Sequence, residues 1–293
     1  MKDKMTWEAT IIQIRKQPEF SELVEKAYFD ENLVLNVERF KSSEEYVETK
    51  KIISDFSLFP TKKILDIGSG NGISAVSFAL EGNDVTAVEP DKSETVGSEA
   101  IKKLKEHYRL SNLSVIDSFG ENLPFENCSF DLIYIRQAMH HANDLKKFIS
   151  EAARVLKPGG LFLTVRDHVI YDEKDKKLFL ETHPLQKFYG GENAFTFQQY
   201  KSAITKAGLK IVSVLRHFDS IINLFPNTLS DFDDLIKKRE HLVKSSLKNK
   251  LPYFIARNSV VERIYSAYVD FKIGKPLNEK NIPGRLISFI AVK

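Results

Sequence analysis

The run LDIGSGNG, from Leu65 to Gly72, constrains this chain more than any other feature. The apolar stretch KKILDI leads into it, and an apolar segment to about Leu80 with helical character follows. The three glycines at alternate positions, Gly68, Gly70 and Gly72, therefore fall in a turn between a buried strand and a helix. Glycine there lets the backbone approach a ligand that side chains would block. The start of the helix also presents unpaired N–H groups to that ligand.

The alternation continues downstream. NDVTAVEP reads as a second strand and Ser93 to Tyr108 as its helix; LSVI is a third strand, FDLIYI a fourth, and LFLTV a fifth. DLKKFISEAARVL reads as a helix ended by Pro158, Gly159 and Gly160. A helix from about Thr196 to Ala207, LKIVSVL as a sixth strand and RLISFIAV as a seventh complete the pattern. Strands alternating with helices of this length predict an α/β fold, a seven-stranded, mostly parallel, doubly wound sheet.

Around this core the chain divides into an N-terminal helical cap (1–60), a core (61–218), a helical insertion (219–282) and the last core strand (283–293). Phe20, Leu23, Val24 and Ala27 have helical spacing in the cap, as do Tyr46, Ile53 and Phe56. Phe232, Leu235, Ile236, Leu242, Val243 and Leu247 share one helical face in the insertion, which reads as a lid. The stretch KKREHLVKSSLKNK, with six Lys or Arg against one Glu, reads as the wet face of a helix.

Glu89 ends the second strand about twenty residues past the glycine turn, where a carboxylate can accept both hydroxyls of a ribose. A dinucleotide fingerprint is the rival reading, but it wants G-x-G-x-x-G, and the third glycine comes one residue early. Asp66, just before the turn, would repel a pyrophosphate and welcome an ammonium group. A nicotinamide oxidoreductase is accordingly disfavoured.

With these pieces, ENLPF before the fourth strand and RVLKPGG before the fifth, the chain resembles the class I S-adenosylmethionine-dependent methyltransferases, especially their small-molecule branch. The match in order and spacing covers roughly Lys62 to Val165. The resemblance implies S-adenosylmethionine as cofactor. Gly68, Ser69, Gly70 and Gly72 would lie along its methionine part with Asp66 near the ammonium, and Glu89 with Pro90 would meet the ribose. Asp117, Ser118 and Phe119 would meet the adenine, and Arg136 would border the methyl. In the commoner pattern an acid stands two residues before the Glu of ENLPF; here Phe119 occupies that place. Either Asp117 reaches the adenine amine or Phe119 stacks on the ring.

Ligands of open α/β sheets bind beyond the carboxyl ends of the strands. Arg136, Gln137, His140 and His141 follow strand four, and Arg166, Asp167 and His168 follow strand five; His183, Tyr189, Glu192 and Asn193 come from the next loop. Histidine has the pKa range of a general base for an alcohol acceptor, so His141, His140 and His168 are the catalytic candidates, in that order. Arg166, Asp167, His183, Tyr189 and Asn193 are the candidate substrate contacts. No H-x-x-x-H or cysteine pair accompanies them, so spacing along the chain predicts no metal.

The charge of +3, from 43 basic and 40 acidic residues, argues against an extended nucleic-acid surface. No apolar run approaches the ~20 residues of a membrane span or forms a secretion signal. The single cysteine, Cys128, excludes an internal disulfide or a cysteine-based metal cluster. These features favour the cytoplasm and a small-molecule substrate, and leave the oligomeric state open. The expected activity is methyl transfer to an oxygen or nitrogen of a small metabolite or sugar derivative, with the arginines leaning towards an anionic one. The alternative is a cofactor-binding regulatory or scaffold protein that has lost catalysis.

Overall fold

A computed structural model of the chain describes residues 4–56, 62–224 and 279–293, with scattered positions between 227 and 268. Four α-helices precede the first strand: α1 (Trp7–Arg15), α2 (Ser21–Lys26), α3 (Leu33–Ser42) and α4 (Glu44–Phe56). The Thr6 and Asn32 side chains cap α1 and α3 by accepting backbone N–H groups that would otherwise lack a partner.

The core runs β1 (Lys63–Ile67), α5 (Ile73–Leu80), β2 (Asp84–Val88), α6 (Ser98–Tyr108), β3 (Leu113–Ile116), β4 (Phe130–Arg136), α7 (Leu145–Val155) and β5 (Leu156–Ile170). It continues with α8 (Glu173–Thr182), β6 (Phe195–Thr196), α9 (Phe197–Lys206), β7 (Lys210–Leu215), α10 (Ile221–Leu224) and β8 (Arg285–Val292). The sheet order is β3-β2-β1-β4-β5-β8-β7, with the two-residue β6 paired to β5. Strands β1 to β5 are mutually parallel, and β8 is antiparallel to both β5 and β7. The winding reverses between β1 and β4, and in doubly wound sheets that switch point opens a crevice beyond the strand ends.

Two apolar layers sandwich the sheet. One joins Ile64, Val85, Leu132 and Leu163 to Phe78 on α5 and to Phe40, Tyr46 and Ile53 of the N-terminal helices. The other joins Leu65, Ile133 and Phe289 to Phe148 and Ile149 on α7 and Tyr200 on α9. The alternate side chains of each strand thus serve opposite layers, and the sheet is buried on both faces. Asp144 caps α7 by accepting from the N–H groups of Lys146 and Lys147, and Thr196 with Gln199 forms a reciprocal cap on α9.

Three expectations need correction. The helix after β2 begins at Ser98, not Ser93, because Asp91 holds the preceding segment as a turn, its Oδ1 taking the Ser93 N–H and its carbonyl the Ser98 N–H. His140 and His141 sit in a 3-10 turn, Met139–His141, ahead of α7. Arg166, Asp167 and His168 do not follow the fifth strand but lie inside β5, paired with β8 across a register shift between Thr164 and Asp167. Arg166 takes a left-handed backbone (φ 63°) at that bulge, a local break that re-aims a side chain. The sheet has eight strands, the additional one being β6.

The helical face from Phe232 to Leu247 lies outside the described residues, as do most of the basic run after Ile236 and of the inserted segment. Among the described residues no helix is long and apolar enough to cross a membrane.

Candidate functional site

A cavity of about 620 Å³ lies along the carboxyl ends of β1, β2 and β4. Its walls include Gly68, Ser69 and Gly70 after β1, Glu89 and Pro90 after β2, and Ser118 to Glu121 after β3. Trp7, Leu23, Ala27 and Phe29 come onto it from the N-terminal helices. The volume falls within the ~300–1,000 Å³ of small-molecule sites.

The turn after β1 is folded back on β2: the N–H groups of Gly68 and Ser69 both donate to the Val88 carbonyl, at 2.8 and 3.2 Å. Gly68 has φ +71°, and a Cβ there would lie 2.4 Å from Cβ of Ala138, so this position needs glycine for both backbone and space. Gly70 also has positive φ but no protein atom within 4 Å of an added Cβ. Its N–H donates to Glu89 Oε2 at 2.7 Å, while Asp91 N–H donates to Oε1 at 3.0 Å. Burial pushes the Glu89 carboxyl up to about 7 against these two donors.

Asp66 and Gly72 are not on the cavity wall. Gly72 starts α5 against Ile101. Asp66 is fully buried behind the turn, with Oδ2 accepting from the Ser74 hydroxyl at 2.6 Å and Oδ1 without a hydrogen-bond partner. Burial raises its carboxyl to about 7, with Ser74 and then Arg136 acting in the opposite sense. Asp117 also stays off the wall, since Lys92 and Lys102 hold it at 3.6 and 3.8 Å. Phe119 does line the cavity, and 59% of its surface is exposed.

Arg136 and Arg166 reach the cavity wall but are already engaged. Glu45, on α4 and wholly buried, accepts from Arg136 Nε and Nη2 at 2.6 and 3.0 Å and from Arg166 Nη1 at 2.9 Å. Burial opposes ionisation of Glu45, but the two guanidiniums outweigh it and hold its carboxyl below the ordinary value. The triad retains one net positive charge, less than two free arginines would supply.

Four of the chain's seven histidines gather at the other end of the cavity. The rings of His140 and His141 are 4.0 Å apart, those of His140 and His168 4.9 Å, and those of His168 and His183 5.8 Å. Asp167 Oδ1 takes both the backbone N–H of His140 (3.2 Å) and its Nδ1 (3.1 Å). Burial works against a charge on His140, but Asp167 and Glu192 outweigh it and raise its pKa to about 9. His141 falls to about 4 by burial and the nearby His140. Burial first, then His140, also depresses His168, whose Nδ1 donates to the Gly284 carbonyl at 2.6 Å.

Asp167 is thus a buried partner of His140 and does not reach the cavity, and Asn193 is also off its wall. His183 and Tyr189 line it; the Tyr189 hydroxyl donates to Glu192 Oε1. Sequence reasoning missed Glu45, Trp7 and Phe29 as site residues. Glu45 had a findable signal, an acid on the apolar face of a helix beside Tyr46.

The chain resembles known proteins over the same elements. Residues 65–164 match the family model described as a methyltransferase domain. The uncharacterized methyltransferase YcgJ of Bacillus subtilis is 36% identical over 113 residues, 36% of this chain and 40% of that protein. The ubiquinone/menaquinone biosynthesis C-methyltransferase UbiE of Rickettsia prowazekii is 35% identical over 104 residues, 34% of this chain and 42% of that one. The chain therefore spans about 40% of the length of the curated relatives it matches. The crystal structure of Streptomyces coelicolor geranyl diphosphate C-methyltransferase, in complex with Mg2+, geranyl diphosphate and S-adenosyl-L-homocysteine, superposes with a TM-score of 0.56 at 15% identity. That alignment covers 97% of this chain and 87% of that one. The fold is the Rossmann-like α/β fold shared with that structure.

Proposed function

We propose that this chain is an S-adenosylmethionine-dependent methyltransferase acting on an oxygen or nitrogen of a small molecule. The observation that carries the reading is the pair of carboxylates at the glycine turn. Glu89 on the cavity wall and Asp66 behind it are buried, raised to about 7, and supplied by the protein with hydrogen bonds, while the nearest cation acting on Asp66, Arg136, is itself paired to Glu45. Such a pair suits a positively charged nucleoside ligand and opposes a pyrophosphate. Glu89 keeps lone pairs for ribose hydroxyls beyond its two backbone donors. Gly68, Ser69 and Gly70 line the methionine end, and Phe119, rather than the lysine-bound Asp117, meets the adenine.

The bound cofactor supplies a methyl group on a sulfonium, which needs little activation beyond alignment with the acceptor. The chain's own residues exclude water and place that acceptor. Trp7, Leu23 and Phe29 cover the cofactor side, and His140, His141, His168 and Tyr189 border the acceptor. The Arg136–Glu45–Arg166 triad leaves a single positive charge there, which favours an acceptor with at most one negative charge.

Isothermal calorimetry should detect S-adenosylmethionine binding and no comparable binding of NAD; the reverse order sinks the assignment. Release of S-adenosylhomocysteine with a panel of hydroxyl, amine and carbon acceptors separates an active enzyme from a cofactor-binding scaffold. Glu89→Ala should weaken cofactor binding by roughly 1–3 kcal/mol, the scale of lost hydrogen bonds to a buried acceptor. Unchanged affinity would assign the ribose to another residue.

A further inference from the structure

His140, His168 and Glu192 each offer one ligand atom, and these atoms lie within 4.8 Å of one another. Glu192 Oε2 is 3.6 Å from His140 Nε2, and Glu192 Oε1 is 3.6 Å from His183 Nδ1. Both separations exceed hydrogen-bonding distance. Glu192 Oε2 and His183 Nδ1 are nevertheless buried without a hydrogen-bond partner, and the Glu192 side chain is only 5% exposed. A buried polar atom without a partner is costly, so two in one cluster point to a missing partner there.

The donor set is also pre-oriented. His140 is fixed through Nδ1 by Asp167, and His168 through Nδ1 by the Gly284 carbonyl, which turns Nε2 of each ring towards the cluster; a bound ion would take the place of the proton on His140 Nε2. Tyr189 steadies the carboxylate of Glu192. A histidine ligand whose other nitrogen is tied to a carboxylate or carbonyl is the usual way a protein sets tautomer and ring direction at a metal. Ligands about 2.0–2.2 Å from one ion stand ~3.4 Å apart at a tetrahedral angle; the Glu192–His140 pair, at 3.6 Å, is already at that spacing, and the ion would draw the remaining atoms in from within 4.8 Å.

We propose that His140, His168 and Glu192 bind one divalent first-row transition ion of the zinc type. Two imidazoles and one carboxylate suit zinc, iron or cobalt; magnesium and calcium prefer all-oxygen sets. Three protein ligands leave one position open, and all three residues line the cavity. His183, whose Nδ1 lies 3.6 Å from Glu192 Oε1, borders the cluster.

The consequence for chemistry rests on the methyltransferase reading; the binding of the ion does not. A hydroxyl or enol oxygen of the acceptor would take the open position, where the ion lowers its pKa. The O–H proton leaves to solvent, an oxygen lone pair forms the new bond to the methyl carbon, and the C–S bond breaks with its electrons going to sulfur. The substrate class is therefore a small molecule with a chelatable oxygen.

The test uses the full-length protein stripped with a chelator and titrated with Co2+, followed by calorimetry and visible absorption. The expected result is one equivalent per chain with visible bands, displaced by Zn2+ and not by equimolar Mg2+. Glu192→Gln and His168→Gln, checked for native circular dichroism, should each lose at least about 10-fold in affinity, while exposed His107→Gln should not. Absence of stoichiometric binding, or equal affinity in both cluster variants, overturns the proposal. S-adenosylmethionine calorimetry on the same samples separates the readings: Co2+ bound without cofactor leaves the metal site standing and removes the methyltransferase.

Discussion

Glu45→Gln is expected to cost on the order of 3–5 kcal/mol of folding free energy, the scale of breaking a buried ion pair from one side. The reason lies in the geometry of α4 against β4 and β5. Glu45 has no exposed surface and answers two guanidiniums through three hydrogen bonds. Gln retains the volume and one acceptor oxygen but removes the charge, leaving Arg136 and Arg166 to repel each other in a desolvated place. A domain of this size is marginally stable overall, so this change is a large share of the total. Urea unfolding followed by circular dichroism measures it. The combined variant Glu45→Leu, Arg136→Met, Arg166→Met removes all three charges at once and should recover much of the loss. If Glu45→Gln costs less than about 1 kcal/mol, the triad is not what holds the N-terminal helices to the sheet.

The same triad shows where the sequence is silent. The glycine turn, Glu89, the order of strands and helices, and the last two strands of the sheet were all legible from short-range pattern, because each is set by neighbours within a few residues. Glu45 and Arg166 lie 121 positions apart and meet only through tertiary packing. Arg166, Asp167 and His168 read as lying past the strand, as a loop or an ion pair, because three successive polar residues break its apolar run; each finds a buried partner instead, in Glu45, His140 and the Gly284 carbonyl. Spacing along the chain likewise argued against a metal. It did not foresee that residues 140, 168 and 192, from a turn, a strand and a loop, converge within 4.8 Å. Asp117 and Asn193 failed in the other direction, since nearness in sequence to wall residues did not bring them to the wall.

The second large effect is a dependence of stability on pH that cofactor should reverse. Asp66 and Glu89 are each raised to about 7 in the folded chain, in both cases chiefly by burial. Their unfolded values lie near 4, so between about pH 4 and 7 the folded protein holds protons that the unfolded chain has released. With fewer protons bound to the unfolded state, stability falls as pH rises through that window. A shift of ~2–3 units per group corresponds to on the order of 3 kcal/mol each. These two groups should therefore lower the free protein's melting temperature from pH 5.5 to 7.5, against the rise contributed by His141, His168, His183 and His217, which are depressed by burial and so hold protons only in the unfolded chain over part of that range. Glu45 acts with the opposite sign below the ordinary carboxylate range, where its protonation releases both arginines. A cationic cofactor stabilises the ionised carboxylates, so its binding should expel protons near pH 6.5 and tighten as pH rises through 7. Calorimetry in two buffers of different ionisation enthalpy counts those protons. Glu89→Gln should abolish part of the release, and its melting temperature should gain on the parent's as pH rises from 5.5 to 7.5. A variant that tracks the parent across that range, with no proton release on binding, would mean that these carboxylates are ionised before any ligand arrives.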